Sequence, residues 1–495
     1  MKNNLKNIVA PLLYQMNAMV WGLILPRLYL QEYGASIHGL SSTVSTIMNY
    51  VALLSGGIGI VAAQSLYGVL SKHQQRGANS IYRAIQKSYI RIGFYYLIAV
   101  AVIALILPVF IGDEIQKIIV ILMMFIVGFQ SVLNCFLVNG NTTFLQADGK
   151  YYIVNIILLF ELNIRNILQV LLIRKHFSVL AVSLVPVLLV FFTALCLKAY
   201  LNRAYRYLKE PAEPDYQALS KRKSGMVHQI AGLVVNSTDV IILTVFTDQI
   251  QISIYSVYSY VVTHIHNLLN MSLSYGVIAS FGHLVERGDL DALRRKYDRY
   301  EFMVFGINTV VYSLVGILII PYVSLYANGV SDINYVDYKL ALFFTVIGYL
   351  NSMRIPSLML INARGDYRET QNQALIEAGI NLVVSITLVF FIGIYGVLTG
   401  TVASFLYRTT VTVLYAQKKI LRRNSRRSFA RIGFSILCIA AACLLTNLLH
   451  LNYRSWGEWI LNAVMIGAVF AAMLAALYWI RARAAARKKI EKQDL

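Results

Sequence analysis

The sequence predicts an all-α, polytopic membrane protein of about 14 transmembrane helices, organised as two six-helix bundles followed by two further helices. Three observations predict this. The chain is 58% hydrophobic and 14% charged over 495 residues, with a mean hydropathy of +0.62, too apolar and too charge-poor for a soluble chain of this length. Its apolar residues gather into windows of about 20, the length of helix that crosses a hydrocarbon layer about 30 Å thick. Its basic residues fall between those windows in alternation, and the second half of the chain repeats the first.

Taken in order, the first six windows are 8 to 30, 43 to 66, 90 to 111, 116 to 139, 151 to 173 and 177 to 198. The next six are 226 to 247, 251 to 280, 301 to 327, 336 to 361, 370 to 392 and 395 to 416, with 431 to 450 and 457 to 480 at the end. The chain opens on "MKNNLKNIVAPLLYQMNAMVWGLILPRLYL". That start is signal-like, but its apolar run outlasts a signal h-region and has no small-residue cleavage site before Arg27, so it reads as a span. In the tenth window Arg354 stands beside Pro356, which predicts a kink towards the cytoplasmic end because proline removes a helical N–H and crowds the preceding turn.

Sorting the 44 basic residues by loop puts 35 on one side, from Lys2 and Lys6 through "KKILRRNSRRSFAR" to "RARAAARKKIEK". The other side holds Arg174, Lys175 and Arg454. Positively charged loops stay cytoplasmic, so both termini are expected inside, as an even number of spans requires. The net charge of +21 then needs no nucleic acid, and the same loops suit anionic membrane lipids. The expected domains are a bundle at 1–200, a basic linker at 201–225, a second bundle at 226–416, a basic loop at 417–430, two helices at 431–480 and a basic tail at 481–495.

Other chemistry is not signalled. Cys135, Cys196, Cys438 and Cys443 lie in apolar segments without metal-type or redox spacing, so neither a disulfide framework nor a zinc site is suggested. The string nearest to a phosphate-binding loop, "NGNTTFLQADGK", has the wrong spacing for GxxxxGK[ST]. No nucleophile, metal-ligand or cofactor arrangement falls on one plausible site, so an enzyme is not expected.

Self-comparison places "FLQADGKYYIVNIILLFELNIRN" from Phe144 over "LINARGDYRETQNQALIEAGINL" from Leu360, an ungapped offset of 216 residues. This pairs Ala147 with Ala363, Gly149 with Gly365, Tyr151 with Tyr367 and Glu161 with Glu377. A further match pairs Gly59 with Gly276 and Ala62 with Ala279. Each copy has an even number of spans, so the two are expected to be parallel repeats about an axis along the membrane normal.

Six basic residues lie within or at the ends of windows: Arg27, Lys117, Arg165, Lys339, Arg354 and Arg408. An ionised side chain facing lipid at a helix centre costs at least about 2.5–3.5 kcal/mol. Glu161, Asp239, Glu377 and Arg408 all fall about 10–20 Å into their windows at 1.5 Å per residue, and they need a partner helix or water. Glu161 and Arg165 stand four apart with the acid first, the favourable order for a helical ion pair. The eighth window adds His264, His266, Asn267 and Asn270. Two readings follow. The groups pair with one another and snorkel to the interfaces, or the two bundles enclose a wet, net cationic cavity for an anionic, hydroxyl-rich substrate. Groups at mid-depth cannot snorkel, which favours the second. Glu161, Asp239, Glu377, His264 and His266 could then carry a coupling proton or Na⁺.

The stretch "LPRLYLQEYGASIHGLSSTVSTIMNYVALLSGGIGIVAAQSLY", from Leu25 to Tyr67, resembles the N-terminal signature of polysaccharide or O-antigen (Wzx-type) flippases, within the multidrug/oligosaccharidyl-lipid/polysaccharide exporter superfamily. An arginine closes the first span, a Tyr-Gly and Gly-Leu turn follows, and a Gly-rich second span ends in a short polar segment. The duplicated halves, the NARGD-like turns and the extra helix pair fit the same superfamily. The resemblance implies two bundles that alternately open a cavity to each side of a bacterial cytoplasmic membrane. The cargo it implies is an undecaprenyl-diphosphate-linked oligosaccharide, with glycan polymerase machinery as a partner. It also implies substrate contacts for Arg27, and for Arg165, Arg354 and Arg408, since the planar guanidinium binds phosphate oxygens in pairs. An ion-coupled drug or metabolite exporter of the same fold and a non-transporting envelope assembly protein are the alternatives.

Overall fold

The computed structural model describes residues 2–72, 74–112, 115–217, 237–274, 277–328, 333–448, 453 and 455–490. The described residues form helices and connecting turns without a strand, and the chain divides after Ile254 into two compact units. Ten of the described helical stretches are long and apolar enough to cross a membrane, and Ser237–Phe246 and Trp456–Ala472 are shorter apolar helices. This is the all-α, polytopic architecture expected.

In the first unit, α1 (Lys2–Ser71) contains both of the first two expected spans. The loop expected between them is absent because Gly34, at φ 80° and ψ 176°, breaks the helix in a single residue; a side chain would resist that conformation. Then come α2 (Gln75–Ile106), α3 (Lys117–Leu137), the short α4 (Asn139–Ala147), α5 (Tyr151–Arg174), α6 (Val179–Ala204) and α7 (Ser237–Phe246). Tyr96, Val100, Met123, Met124, Val132, Val182 and Leu197 are among the side chains that fill the core.

Polar bonds join α1 to α5 and to the turns that flank it. Asn7 donates to Gly149 O (2.6 Å) and accepts from Tyr152 N (2.9 Å), Trp21 Nε1 donates to Asn163 Oδ1 (3.0 Å), and His176 meets Glu32 (2.6 Å). Where both sides of an interface are bathed in hydrocarbon, such bonds supply association that the hydrophobic effect cannot. The described part of the seventh span, α7, also packs here. Thr244 Oγ1 bonds Thr43 (3.2 Å) and Thr238 Oγ1 bonds Tyr50 (2.6 Å). The start of that span, and Lys221, Arg222 and Lys223 of the basic linker before it, lie outside the described residues.

The chain passes the division inside α8 (Gln249–Ser274). His264, His266, Asn267 and Asn270 leave that helix too polar to count among the ten. The second unit continues with α9 (Val277–Glu286), α10 (Leu290–Tyr326), α11 (Tyr338–Met353), α12 (Ile355–Arg364), α13 (Tyr367–Ile392), α14 (Ile394–Tyr415), α15 (Arg426–Leu448) and α16 (Trp456–Ile490). The kink expected from Pro356 is the break between α11 and α12 at Arg354. Helix α10 starts well before 301 because Asp289 caps it, accepting from Ala292 N at 2.8 Å. Its basic first turns are thus helical.

The 216-residue repeat is visible at side-chain level in two matching turns. Gly149 (φ 69°) and Gly365 (φ 80°) both end a helix in the left-handed conformation that glycine tolerates. Their flanks are charge-swapped: Asp148 and Lys150 in one, Arg364 and Asp366 in the other. A tyrosine at the end of α6 or α14 meets the turn's aspartate, Tyr205, just past α6, bonding Asp148 and Tyr415, the last residue of α14, bonding Asp366 at 3.0 Å. Lys150 Nζ also reaches Tyr205 (2.7 Å), and burial together with the Asp148 bond raises the phenol's pKa. Gly276, needed for the match to Gly59, lies outside the described residues.

The 417–430 loop, which its charge marks as a solvated cytoplasmic segment, is partly internal. Residues 416–420 wind as a π-helix, and the loop folds back on α10. Glu301 is completely buried. It bonds Arg431, accepts from Ser428 Oγ (2.6 Å) and meets Gln417 Nε2 (3.4 Å). Asp298 pairs with Arg423 (3.0 Å) and Arg431 (3.5 Å). This knot ties α15 to α10, and beside it α10, α15 and α16 border a half-open apolar cavity of about 320 Å³ lined in part by Phe302, Phe305, Phe434 and Phe470.

Candidate functional site

Helix α13 carries Gln373, Glu377, Asn381 and Ser385 at intervals of four, so they form one polar stripe along a helix of 3.6 residues per turn. The stripe faces α14. Asn381 Nδ2 donates to Thr401 Oγ1 (3.1 Å) and Ser385 Oγ to Val397 O (3.1 Å). Close approach is possible because Gly396 and Gly400 stand at a four-residue interval on α14, the small-xxx-small pattern of membrane helix pairs. A Cβ on Gly400 would lie 2.1 Å from Ser385 Oγ, and one on Gly396 only 2.3 Å from Leu388 backbone.

Glu377 sits at the centre of this stripe between two guanidinium groups. Arg354 Nη1 is 2.6 Å from Oε1, and Arg408 Nε is 3.4 Å from Oε2. The side chains are 13%, 8% and 7% exposed for Arg354, Glu377 and Arg408. Each arginine has further support. Arg354 bonds Asn351 and lies 4.8 Å from the ring centroid of Phe405; Arg408 Nη1 donates to Thr370 O at 3.4 Å. The cluster draws on α11, α13, α14 and the α11–α12 break, and its formal charge is +1. The break matters: it leaves Arg354 between two helices, its N–H bonded to Ser352 O and its carbonyl opening α12 by accepting from Leu358 N (2.9 Å).

A second polar group in the same unit is built on Ser352. His266 Nδ1 bonds its hydroxyl (2.9 Å), Tyr312 bonds the same hydroxyl (2.8 Å), and Asn308 donates to its carbonyl (3.1 Å). His264 is directed elsewhere, bonding Tyr260 O at 2.9 Å and stacking on the Tyr260 ring. The two histidines therefore do not form one site.

In the first unit Glu161 meets Arg165 at 3.5 Å on the same helix. Glu161 is buried and Arg165 keeps 24% of its side chain exposed. Two turns on from Glu161, Gln169 Nε2 donates to Val182 O (3.2 Å), the counterpart of Ser385 at the 216-residue offset. Arg27 is half-buried on α1, and Asp239 is buried on α7; both belong to the first unit. The structure thus brings Arg354, Arg408 and Glu377 together and gives Glu161 and Arg165 a pair of their own. Sequence reasoning missed Asn351 and Phe405, whose only signal is that each stands three residues before an arginine, on the same helical face.

No protein-family model matches the chain, and no curated protein does. Solved structures do match in fold. The lipid II flippase MurJ in an inward closed conformation superposes with a TM-score of 0.64 at 12% identity, over 95% of this chain and 99% of that one. An inward-facing multidrug resistance MATE family transporter of the MOP superfamily gives 0.60 at 12% identity, over 84% and 99%. The eukaryotic MATE transporter AtDTX14 gives 0.55 at 13% identity, over 87% and 99%. At such identities the likeness is one of fold, and the fold of this chain is the one seen in MOP-superfamily transporters.

Proposed function

We propose that this protein is a flippase that moves an undecaprenyl-diphosphate-linked oligosaccharide across a bacterial cytoplasmic membrane by alternating access. The observation that carries the reading is the pair of guanidinium groups, Arg354 and Arg408, gathered on one carboxylate inside a membrane-spanning unit. Buried cations of this kind are costly without a function or a full set of partners, and two planar forks suit a diphosphate. The fold supports the same reading, since a lipid II flippase shares it over 95% of this chain. Arg27 and Arg165 are proposed as further contacts along the path, and Asp239, Glu161, Glu377 and His266 as candidates for coupling to H⁺ or Na⁺. Both termini are placed in the cytoplasm on this reading, with glycan polymerase machinery as a partner.

Ion-coupled export of a drug or metabolite is the second reading, favoured by the MATE fold and by the charge-neutral Glu161–Arg165 pair. Deletion of the gene separates the two. The flippase reading expects lipid-linked sugar to accumulate on the inner leaflet, restored by the wild-type chain and not by Arg354→Gln with Arg408→Gln; sensitivity to a cationic drug with normal lipid-linked sugar would favour export.

A further inference from the structure

We propose that Glu377 is a resident anion: it occupies the Arg354–Arg408 site while the site is empty, and an incoming diphosphate displaces it. The substrate class rests on the flippase reading, whereas the geometry rests on the second unit alone.

The contacts are lopsided in a telling way. Among the described residues Glu377 bonds the two arginines and nothing else. The arginines, by contrast, each hold on to something besides Glu377: Arg354 to Asn351 and the Phe405 ring, Arg408 to Thr370 O. Removing the carboxylate from between them leaves two cations already aimed at one point. Moving either arginine away would break its other contacts. The carboxylate is therefore the exchangeable member of the group, and the arginines are the preformed part.

Charge explains why the place is filled at all. Two guanidinium groups near one another in a low-dielectric interior repel and pay full desolvation, so an empty pair would push the helices apart. One carboxylate relieves this only in part: it leaves a net positive charge and a loose 3.4 Å contact to Arg408. A diphosphate brings more negative charge and enough oxygens to serve both forks bidentately. It can outcompete the glutamate, while the tethered carboxylate stays at high local concentration to re-enter and expel the product. Substrate affinity and Glu377 occupancy then oppose each other reciprocally. Glu161 cannot play this part, because its partner is a single arginine four residues along the same helix.

The test titrates the purified full-length protein in lipid nanodiscs with inorganic pyrophosphate and, in a second arm, with farnesyl diphosphate, reading heat. Glu377→Gln is expected to bind pyrophosphate about tenfold tighter than wild type, and Glu377→Gln with Arg408→Gln to lose that gain. Glu377→Asp, which keeps the charge but cannot reach both arginines equally, is expected to gain less, and it carries the test should Glu377→Gln not fold. Unchanged or weaker pyrophosphate binding in the folded variants overturns the proposal and leaves Glu377 a structural counter-ion. A gain with pyrophosphate but no binding of farnesyl diphosphate upholds the resident anion and tells against the lipid-linked substrate. Lipid-linked sugar accumulating on deletion, with no gain in Glu377→Gln, does the reverse.

Discussion

Glu161 and Glu377 hold the same place in the two repeats and are solved differently. Each lies on a helix that begins at a tyrosine, Tyr151 or Tyr367, just after a left-handed glycine turn. Each is buried, at 7% and 6% exposure. Yet Glu161 finds its cation one turn along its own helix, whereas Glu377 draws one arginine from the α11–α12 break and another from α14. Asn381 stands at the offset where the first repeat has Arg165. A local pair survives changes in how its helix packs; a pair assembled from three helices exists only while they are packed. The first arrangement neutralises a charge, and the second gathers two cations on one acid.

The largest expected effect contrasts the two acids directly. Glu377→Ala leaves two buried guanidinium groups facing each other and is expected to cost about 3–5 kcal/mol of stability. Glu161→Ala leaves one partly exposed arginine instead of two buried ones, at about 1 kcal/mol or less. Thermal unfolding of both variants in the same detergent checks this, and equal losses would mean that the cis and trans arrangements are energetically alike. Next is the helix seam. Gly400→Ala drives a methyl into Ser385 Oγ and, at 2.7 Å, into the Ser385 backbone, so α13 and α14 must separate, at about 1–3 kcal/mol. Because a backbone atom is involved, Ser385→Ala is expected to recover only part of that loss in the double variant. Helix α6, the counterpart of α14, has no glycine, so the seam is special to the second repeat.

The smallest effect concerns the charge-swapped turns. Asp148→Arg removes the acceptor for Tyr205 and is expected to cost about 1–2 kcal/mol. Adding Lys150→Asp reproduces the Arg-Gly-Asp order of the second repeat, and it should recover most of the loss because Tyr205 already reaches position 150. Failure to recover, measured by the same melting experiment, would mean that the two turns are not interchangeable.

Much of this was legible in the primary structure. Helices of membrane length follow from hydropathy, because a lipid-facing backbone must bond internally and its side chains must be apolar. The paired glycine turns and paired glutamates follow from the offset, and the Glu161–Arg165 contact from the helical period alone. The break at Arg354 follows from Pro356. None of these needs knowledge of which helices touch.

What does need it was decided by the tertiary structure. Nothing local joins Arg354 and Arg408 to Glu377, residues 23 and 31 positions away from it, and reading them as separate substrate contacts overlooked that they share one carboxylate. The burial of Glu301 was hidden in the same way, since a basic loop looks solvated until Arg431, Arg423 and Gln417 fold back on α10. The missing loop in α1 and the packing of α7 against it are likewise outcomes of contact. Hydropathy and helical period act within a dozen residues, whereas a buried charge is satisfied by whichever group the packing brings near, and that choice is made in three dimensions.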